Sequence, residues 1–397
     1  MNTKLLLVCY DFPPNSGIGG RKWAFLAKYL LKKNIDLYVI TKQNDHDDSN
    51  WDIDLQSVKR FYFKANYPSI LNSYPVGIFK KIKYRITLFC LKILIKGNYY
   101  DRGKLLGKEI IKKTEDVCRE FGIRNIVFTG GPFSFLYYGS MIKKNNSKLN
   151  IISDFRDPWT FGNYNSFQNL SNNKQDQEYK YLSEVLRKSD TIIVPNGIIK
   201  DYYTKIYQDS KINIMPHAVD VQFIKKRKSI KCDRINFVNF GSQYFGLDGW
   251  MNIINEEINK TKIDIVFYTN DFKYKLIFKN NKHINYHPPV KYSSVFDILS
   301  EANGSLLFVN NQIKDFLSTK YIECFAARIP IVLIGEKGFV SNFIENNRLG
   351  IFIEGKNLKS EFNNIPEKLK ELDYNDKFDV TSFTFERQAD EMIALLK

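Results

Sequence analysis

The sequence predicts an α/β protein of two domains, each organised on a parallel sheet. Lys4–Tyr10 is an unbroken apolar run, as expected of a strand covered on both faces. A glycine loop (PPNSGIGGRKW), a helical segment at Trp23–Leu31 and a second strand at Leu37–Thr41 follow it. The same order returns in NGSLLFVNNQIKDFLSTKYIECFAARIPIVLIG, where β-rich runs at Ser305–Val309 and Ile331–Ile334 flank a helix from about Thr319 to Arg328. A length of 397 residues with 44% apolar composition is enough for two or three cores.

The first loop is rich in glycine because backbone N–H groups at a helix start can then approach a phosphate closely. Gly17, Gly19 and Gly20 do not have the GxGxxG spacing, so a dinucleotide fingerprint fits poorly, while Arg21 stands where it could neutralise charge. The triplets Asp45–Asp47 and Asp52–Asp54 have the DxD form that can hold a metal–nucleotide complex, but their polar surroundings make them solvated loop. No metal site is expected from the four histidines, since His283 and His287 are followed by Pro288 and Pro289. The five cysteines are scattered and without a CxxC, which suits buried thiols in a reducing compartment.

Lysine and arginine outnumber acidic residues to leave a net charge of +16, which favours anionic partners. The excess concentrates in Phe79–Lys113, which carries +9. Within 79–96, Lys80, Lys81, Lys83, Arg85, Lys92 and Lys96 interleave with Ile82, Ile86, Leu88, Phe89, Leu91 and Ile93. Such a helix either lies in the plane of an anionic membrane or packs on the core with a solvated basic face. No nucleic-acid module is recognisable. The start of the chain reads as a buried strand rather than a signal peptide, and no apolar run reaches the length of a membrane span.

Strands are expected at Arg124–Thr129, before the tight loop GGPFS, and at Leu149–Ser153, before SDFRDPWT. Asp154, Arg156 and Asp157 then stand at the carboxyl edge of a parallel sheet, where such sheets bind substrates. A carboxylate there could meet a substrate, and Arg156 could bind phosphate or orient a carboxylate. Asp157, beside Pro158, is the candidate for catalysis. Asp154, nearer the strand, is the candidate for structure, linked to Arg156 or to loop amides. Phe161–Asp176 is Asn-rich and reads as a mobile loop, with a helix at Glu178–Lys188 after it. In the second domain, strands at Arg234–Phe240, Ile263–Tyr268 and Ile284–His287 accompany a second glycine loop, GSQYFGLDGW, and a last helix spans Phe383–Leu396.

The helix at Thr319–Arg328 opens just beyond a strand, with Ser318 or Thr319 as its cap. Tyr321, Ile322, Phe325 and Ala326 form its apolar face, Lys320 and Glu323 lie on the other, and Pro330 stops it. Asp315 and Glu323 are separated by seven residues. This spacing, with STKYIECFAARIPIV, resembles the donor-site signature of GT-B glycosyltransferases of family 4 (group 1). INIMPHAVD is similar to the hinge of that family, with His217-Ala218 in place of Asn-Gly. DFRDPW occurs in one of its branches, and HPPVKYSSVFDIL is similar to the segment that meets the nucleotide base.

The resemblance implies two Rossmann-like domains facing across a cleft. Residues 1–215 form an acceptor-binding domain, 216–380 a nucleotide-sugar donor domain, and 381–397 a helix crossing back to the first. It also implies a retaining, metal-independent transferase without a cofactor. A sugar passes from a UDP- or GDP-sugar to a lipid-linked or polysaccharide acceptor of a bacterial envelope, at the cytoplasmic face of the membrane. Glu323 receives the donor ribose, Asp315 lies near the sugar, and Gly19 and Gly20 touch the diphosphate. The Arg and Lys that grip the diphosphate in the family are missing after Arg234–Phe240, where Ser242, Gln243 and Tyr244 stand. Arg21 and Lys320 are the substitutes. A nucleotide-sugar epimerase of the same fold, or an inactive nucleotide-sugar-binding protein, is the alternative.

Overall fold

Runs of β-branched and leucine residues with no polar face dominate both halves of the chain, and each half buries them in the middle layer of a sheet with helices on both sides. The computed structural model describes residues 2–15, 18–44, 53–71, 75–161, 164–228, 233–243 and 246–397. The first DxD triplet, Asp52 of the second, Gly17, Cys232 and Tyr244 lie outside those residues.

Two units result, and their boundary falls after Pro216. The first contains seven parallel strands: β1 (Lys4–Val8), β2 (Asp36–Lys42), β3 (Lys59–Phe63), β4 (Asn125–Thr129), β5 (Asn150–Asp154), β6 (Thr191–Val194) and β7 (Ile212–Ile214). Their spatial order is β3-β2-β1-β4-β5-β6-β7. Its helices are α1 (Ile18–Lys32), α2 (Ile78–Leu94), α3 (Gly107–Phe121), α4 (Ser134–Asn145), α5 (Asn172–Lys188) and α6 (Gly197–Ile206). β3, β7 and α3 have no counterpart among the sequence expectations. β3 is a half-exposed edge strand and β7 is three residues long, so neither carries a full apolar run.

The second unit contains six parallel strands: β8 (Ile235–Phe240), β9 (Ile263–Tyr268), β10 (Ile284–His287), β11 (Gly304–Val309), β12 (Ile331–Gly335) and β13 (Gly350–Glu354). They lie in the order β10-β9-β8-β11-β12-β13. The helices α7 (Asp248–Glu257), α8 (Tyr292–Ser300), α9 (Thr319–Ala327) and α10 (Phe339–Asn346) lie between strands, and α11 (Leu358–Glu361) and α12 (Ile365–Glu371) follow β13. The final helix, α13, spans Phe385–Ala394. Gln388–Lys397 belongs to the first unit, where the Lys397 backbone N–H donates to Asn125 Oδ1 at 2.8 Å and Lys33 pairs with Asp390 at 2.7 Å.

Both sheets follow the Rossmann order, running outward in one direction from the first strand and in the other from the fourth. The reversal falls between β1 and β4 in one unit and between β8 and β11 in the other. The loops leaving those strands at their carboxyl ends splay apart there, and this is where parallel α/β sheets hold ligands.

Three expectations are corrected. Within Phe161–Asp176, expected as a loop, the described residues are largely helical: Tyr164–Asn169 forms a 3₁₀ turn and α5 begins at Asn172. Phe167 and Leu170 are buried with Leu91, Ile95 and Tyr99, and these apolar side chains anchor a segment that asparagines make look solvated. Cys9, Cys118 and Cys324 are buried, but Cys90 is exposed on α2. The helix α2 does not pack as a core helix either. Leu91 is its one fully buried residue, while Phe79, Ile82, Ile86, Phe89 and Ile93 are 52–86% exposed.

Candidate active site

In the first unit, β5 delivers the DFRDPW turn. Its last residue, Asp154, has no exposed surface. Lys22 Nζ reaches its two oxygens at 2.9 and 3.0 Å, Trp23 Nε1 donates at 3.0 Å and Thr129 Oγ1 at 3.3 Å. The expected link from Asp154 to Arg156 or to loop amides is therefore corrected. A carboxylate that far inside needs a cation brought in beside it, and α1 supplies the buried Lys22. Arg156 turns the other way, and its Nε donates to Asp157 Oδ2 at 3.2 Å. The Asp157 side chain is 36% exposed, open enough to meet a substrate.

Glycines shape the space around Arg156. A Cβ at Gly19 would collide with its Nη1, and one at Gly131 would lie 2.7 Å from Nη2. Gly20 answers a different need, since a Cβ there would press on the Asp11 backbone at 3.1 Å. Below the turn lies a buried ionic network. Glu178, fully buried on α5, accepts from Trp159 Nε1 at 2.7 Å, from Lys104 Nζ at 2.7 Å and from the Asn98 N–H at 2.8 Å. Trp159 also stacks on Phe133, ring centres 5.3 Å apart. The turn thus rests on partners drawn from three distant segments.

In the second unit, the loop after β8 turns through Gly241 at φ +78°, a value that favours glycine. Lys320, in the first turn of α9, lies against it, and its Nζ donates to the Ser242 carbonyl at 2.9 Å. From the loop after β9, Lys273 Nζ donates to the Gln243 carbonyl at 2.5 Å and pairs with Asp271 at 3.0 Å. Two lysines from different elements therefore converge on neighbouring carbonyls. Burial holds the Lys320 ammonium down to about 8, against the opposing pull of Glu323, Cys324 and Asp271. Burial pushes the Asp271 carboxyl up, but Lys273 and nearby N–H donors outweigh it and leave it below the usual range.

A narrow cavity of about 10 Å³, room for roughly one water, opens between these loops. Around it, Asn239 Oδ1 and Ser318 Oγ are buried with no partner among the described residues. Ser318 occupies the cap position of α9, yet its hydroxyl makes no capping bond, so the expected cap is corrected. The surface face expected for α9 is corrected too. Tyr321 to Ala327 are all buried, and α8 packs against this helix. Glu323 is 5% exposed and lies one turn from Lys320. Asp315 Oδ1 accepts the Phe339 N–H at 3.1 Å and so holds the start of α10.

Arg156 and Asp157 stand together with Gly19 in one unit, and Ser242 stands with Lys320 in the other. Arg21 is half-buried in α1. Lys22, Glu178, Asp271 and Lys273 carry much of the site's electrostatics and were not singled out in the sequence; a lysine inside an otherwise apolar helix face was the one visible sign of the first. Among the described residues, no group of three or more His, Cys, Asp or Glu side chains could hold a metal ion.

No family model and no curated protein matches the chain in sequence. Solved structures do match its fold over nearly the whole length. One is described as trehalose-6-phosphate from E. coli bound with UDP-2-fluoro glucose, at TM-score 0.64 and 10% identity, covering 99% of this chain and 98% of the other. WaaG, a glycosyltransferase involved in lipopolysaccharide biosynthesis, matches at TM-score 0.58 and 12% identity, covering 98% and 99%. A putative UDP-N-acetylglucosamine 2-epimerase from Listeria monocytogenes matches at TM-score 0.58 and 10% identity, covering 99% and 95%. At these identities the likeness is one of fold, and the chain has the two-domain GT-B architecture that these proteins share.

Proposed function

We propose that this chain is a glycosyltransferase of the family 4 type, moving a sugar from a nucleotide diphosphate sugar to an acceptor hydroxyl. The observation that carries this is the convergence of Lys320 and Lys273 on the Ser242 and Gln243 carbonyls, beside unpartnered buried polar atoms at the strand-order reversal of the second sheet. A leaving UDP or GDP diphosphate accumulates negative charge. Two lysines and the backbone of a glycine loop are suited to stabilise it without a metal. Glu323 receives the ribose hydroxyls and Asp315 serves the sugar side. In the first unit, Asp157 orients the acceptor hydroxyl or faces the positive charge at the anomeric carbon, which is replaced with retention.

The acceptor is lipid-linked or a polysaccharide of a bacterial envelope, and the enzyme works at the cytoplasmic face of the membrane. Support comes from α2, whose outward stripe of Phe79, Ile82, Ile86, Phe89 and Ile93 is flanked by Lys80, Lys81, Lys83, Arg85 and Lys92. That pairing of apolar stripe and lysines complements an anionic bilayer surface. No helix among the described residues is long and apolar enough to cross a membrane.

Calorimetry with UDP and GDP tests the donor site. Glu323→Gln, which preserves volume in a buried position, is expected to weaken nucleotide binding by about 1.5–3 kcal/mol. Unchanged affinity would remove Glu323 from the site. The second enzyme class is an epimerase, supported by the fold match to the Listeria protein. It would yield a rearranged nucleotide sugar without any acceptor, whereas transfer releases free nucleoside diphosphate.

A further inference from the structure

Beside the DFRDPW turn lies a second cavity, wholly within the first unit, of about 260 Å³. It is lined by Tyr100, Arg102, Gly131, Phe133 and Arg156 among others, at the reversal point between β1 and β4. Its volume suits a monosaccharide-sized group rather than a single water. We infer that this cavity takes an oxyanion carried by the acceptor, a phosphate or a carboxylate, gripped between the guanidinium groups of Arg102 and Arg156. The inference rests on the transferase reading for the word acceptor, but the anion site itself stands on its own geometry.

Both arginines have donors to spare. Arg156 uses Nε on Asp157, and among the described residues Nη1 and Nη2 have no acceptor. Gly19 and Gly131 leave the space these two nitrogens occupy, so the planar fork is held at the cavity wall by backbone on two sides. Arg102 makes no ion pair with any described residue. It rests over the Tyr10 ring, 5.3 Å from the centroid, which orients the guanidinium without consuming its N–H groups.

The one carboxylate lining the cavity, Asp101, does not neutralise them. Its oxygens accept the Ser134 N–H at 2.9 Å, the Ser134 hydroxyl at 2.8 Å and the Gly103 N–H at 2.8 Å. That charge is committed to the start of α4, where the helix dipole favours it. Two guanidinium forks facing a polar cavity, with the local carboxylate engaged elsewhere, match the bidentate geometry of phosphate and carboxylate. A neutral sugar would leave the Arg102 charge and the two free Arg156 nitrogens without an anionic partner in the cavity.

The test uses the full chain at low salt, where a partly open ion site is least screened. Glucose 6-phosphate, glucuronate and unmodified glucose are titrated into the wild type, Arg102→Gln and Arg156→Gln, with UDP and GDP titrated into the same samples. Expected is millimolar binding of one or both anionic sugars, no binding of glucose, and a loss of tenfold or more in either variant. Preference for the phosphate or for the uronate identifies which oxyanion the acceptor carries. Because Arg156 packs against two loops, melting curves accompany both variants; the exposed Arg102 keeps the test decisive if Arg156→Gln unfolds. Failure of both anionic sugars to bind, or equal binding by wild type and Arg102→Gln, overturns the site. Arg-dependent anion binding without any nucleotide binding would instead retain the site and remove the transferase reading.

Discussion

Two aspartates three residues apart show how little the residue type decides by itself. Asp154 is sealed in with Lys22, while Asp157 stands 36% exposed beside Arg156. Asp154→Asn removes one charge of a buried pair and strands the other, so a loss of about 3–5 kcal/mol in unfolding free energy is expected by denaturant titration. Asp157→Asn should leave melting unchanged and lower turnover about a hundredfold, the scale of losing a positioned proton-transfer group. Reversed results in kinetics and melting would exchange the two roles. Lys320 gives a pH signature. Its ammonium titrates near 8 in the folded chain and higher when unfolded. Between those values the unfolded chain binds more protons, so stability rises with pH across that window. A bound diphosphate does the opposite, because it favours the charged lysine. Nucleotide affinity is therefore expected to fall as pH climbs through 8, and Lys320→Arg should abolish that fall; a pH-independent affinity in the wild type would place Lys320 away from the diphosphate.

Among the elements, α2 is the one whose packing periodicity alone does not settle. Its apolar residues recur at helical spacing, which is equally the pattern of a core helix. Only the tertiary structure shows that the buried side is the narrow one around Leu91, with Phe79 and Phe89 turned to solvent at 86% and 64% exposure. Flotation with vesicles is expected to show binding to anionic but not neutral lipid. It should weaken with salt, each lysine near the surface contributing on the order of 1 kcal/mol. Phe79→Ser with Phe89→Ser should abolish flotation without lowering the melting point. Equal binding to both vesicle types would remove the lysines from the docking, and binding to neither would leave the stripe without a membrane role. α9 errs in the other direction, since a sequence that looks one-sided is buried from Tyr321 through Ala327, Glu323 included.

For the molecule as a whole, two units imply that unfolding need not be a single transition. A nucleotide that binds residues 217–387 stabilises that unit by about 2.7 kcal/mol at a hundredfold excess over Kd. Hydrogen exchange is expected to slow around Gly241–Gln243 and Ser318–Glu323, with the first sheet's core unaffected. Protection confined to the first unit would move the donor site there. The α/β class and the strands at Ser305–Val309 and Ile331–Ile334, buried along their whole length, were legible in the sequence. A strand buried on both faces must be apolar throughout, and that signal is local. The spacing of Asp315 and Glu323 is local too, lying within one loop and one helix. What only the tertiary structure decided is which charges meet. Lys22 and Asp154 are 132 residues apart, Lys104 and Glu178 are 74 apart, and Lys320 reaches a carbonyl 78 residues away. Burial makes such pairs obligatory, because an unpaired charge inside a protein is costly, but nothing in either local stretch names the partner. The Rossmann order of the strands brings them together, and the chemistry of each site follows from that convergence.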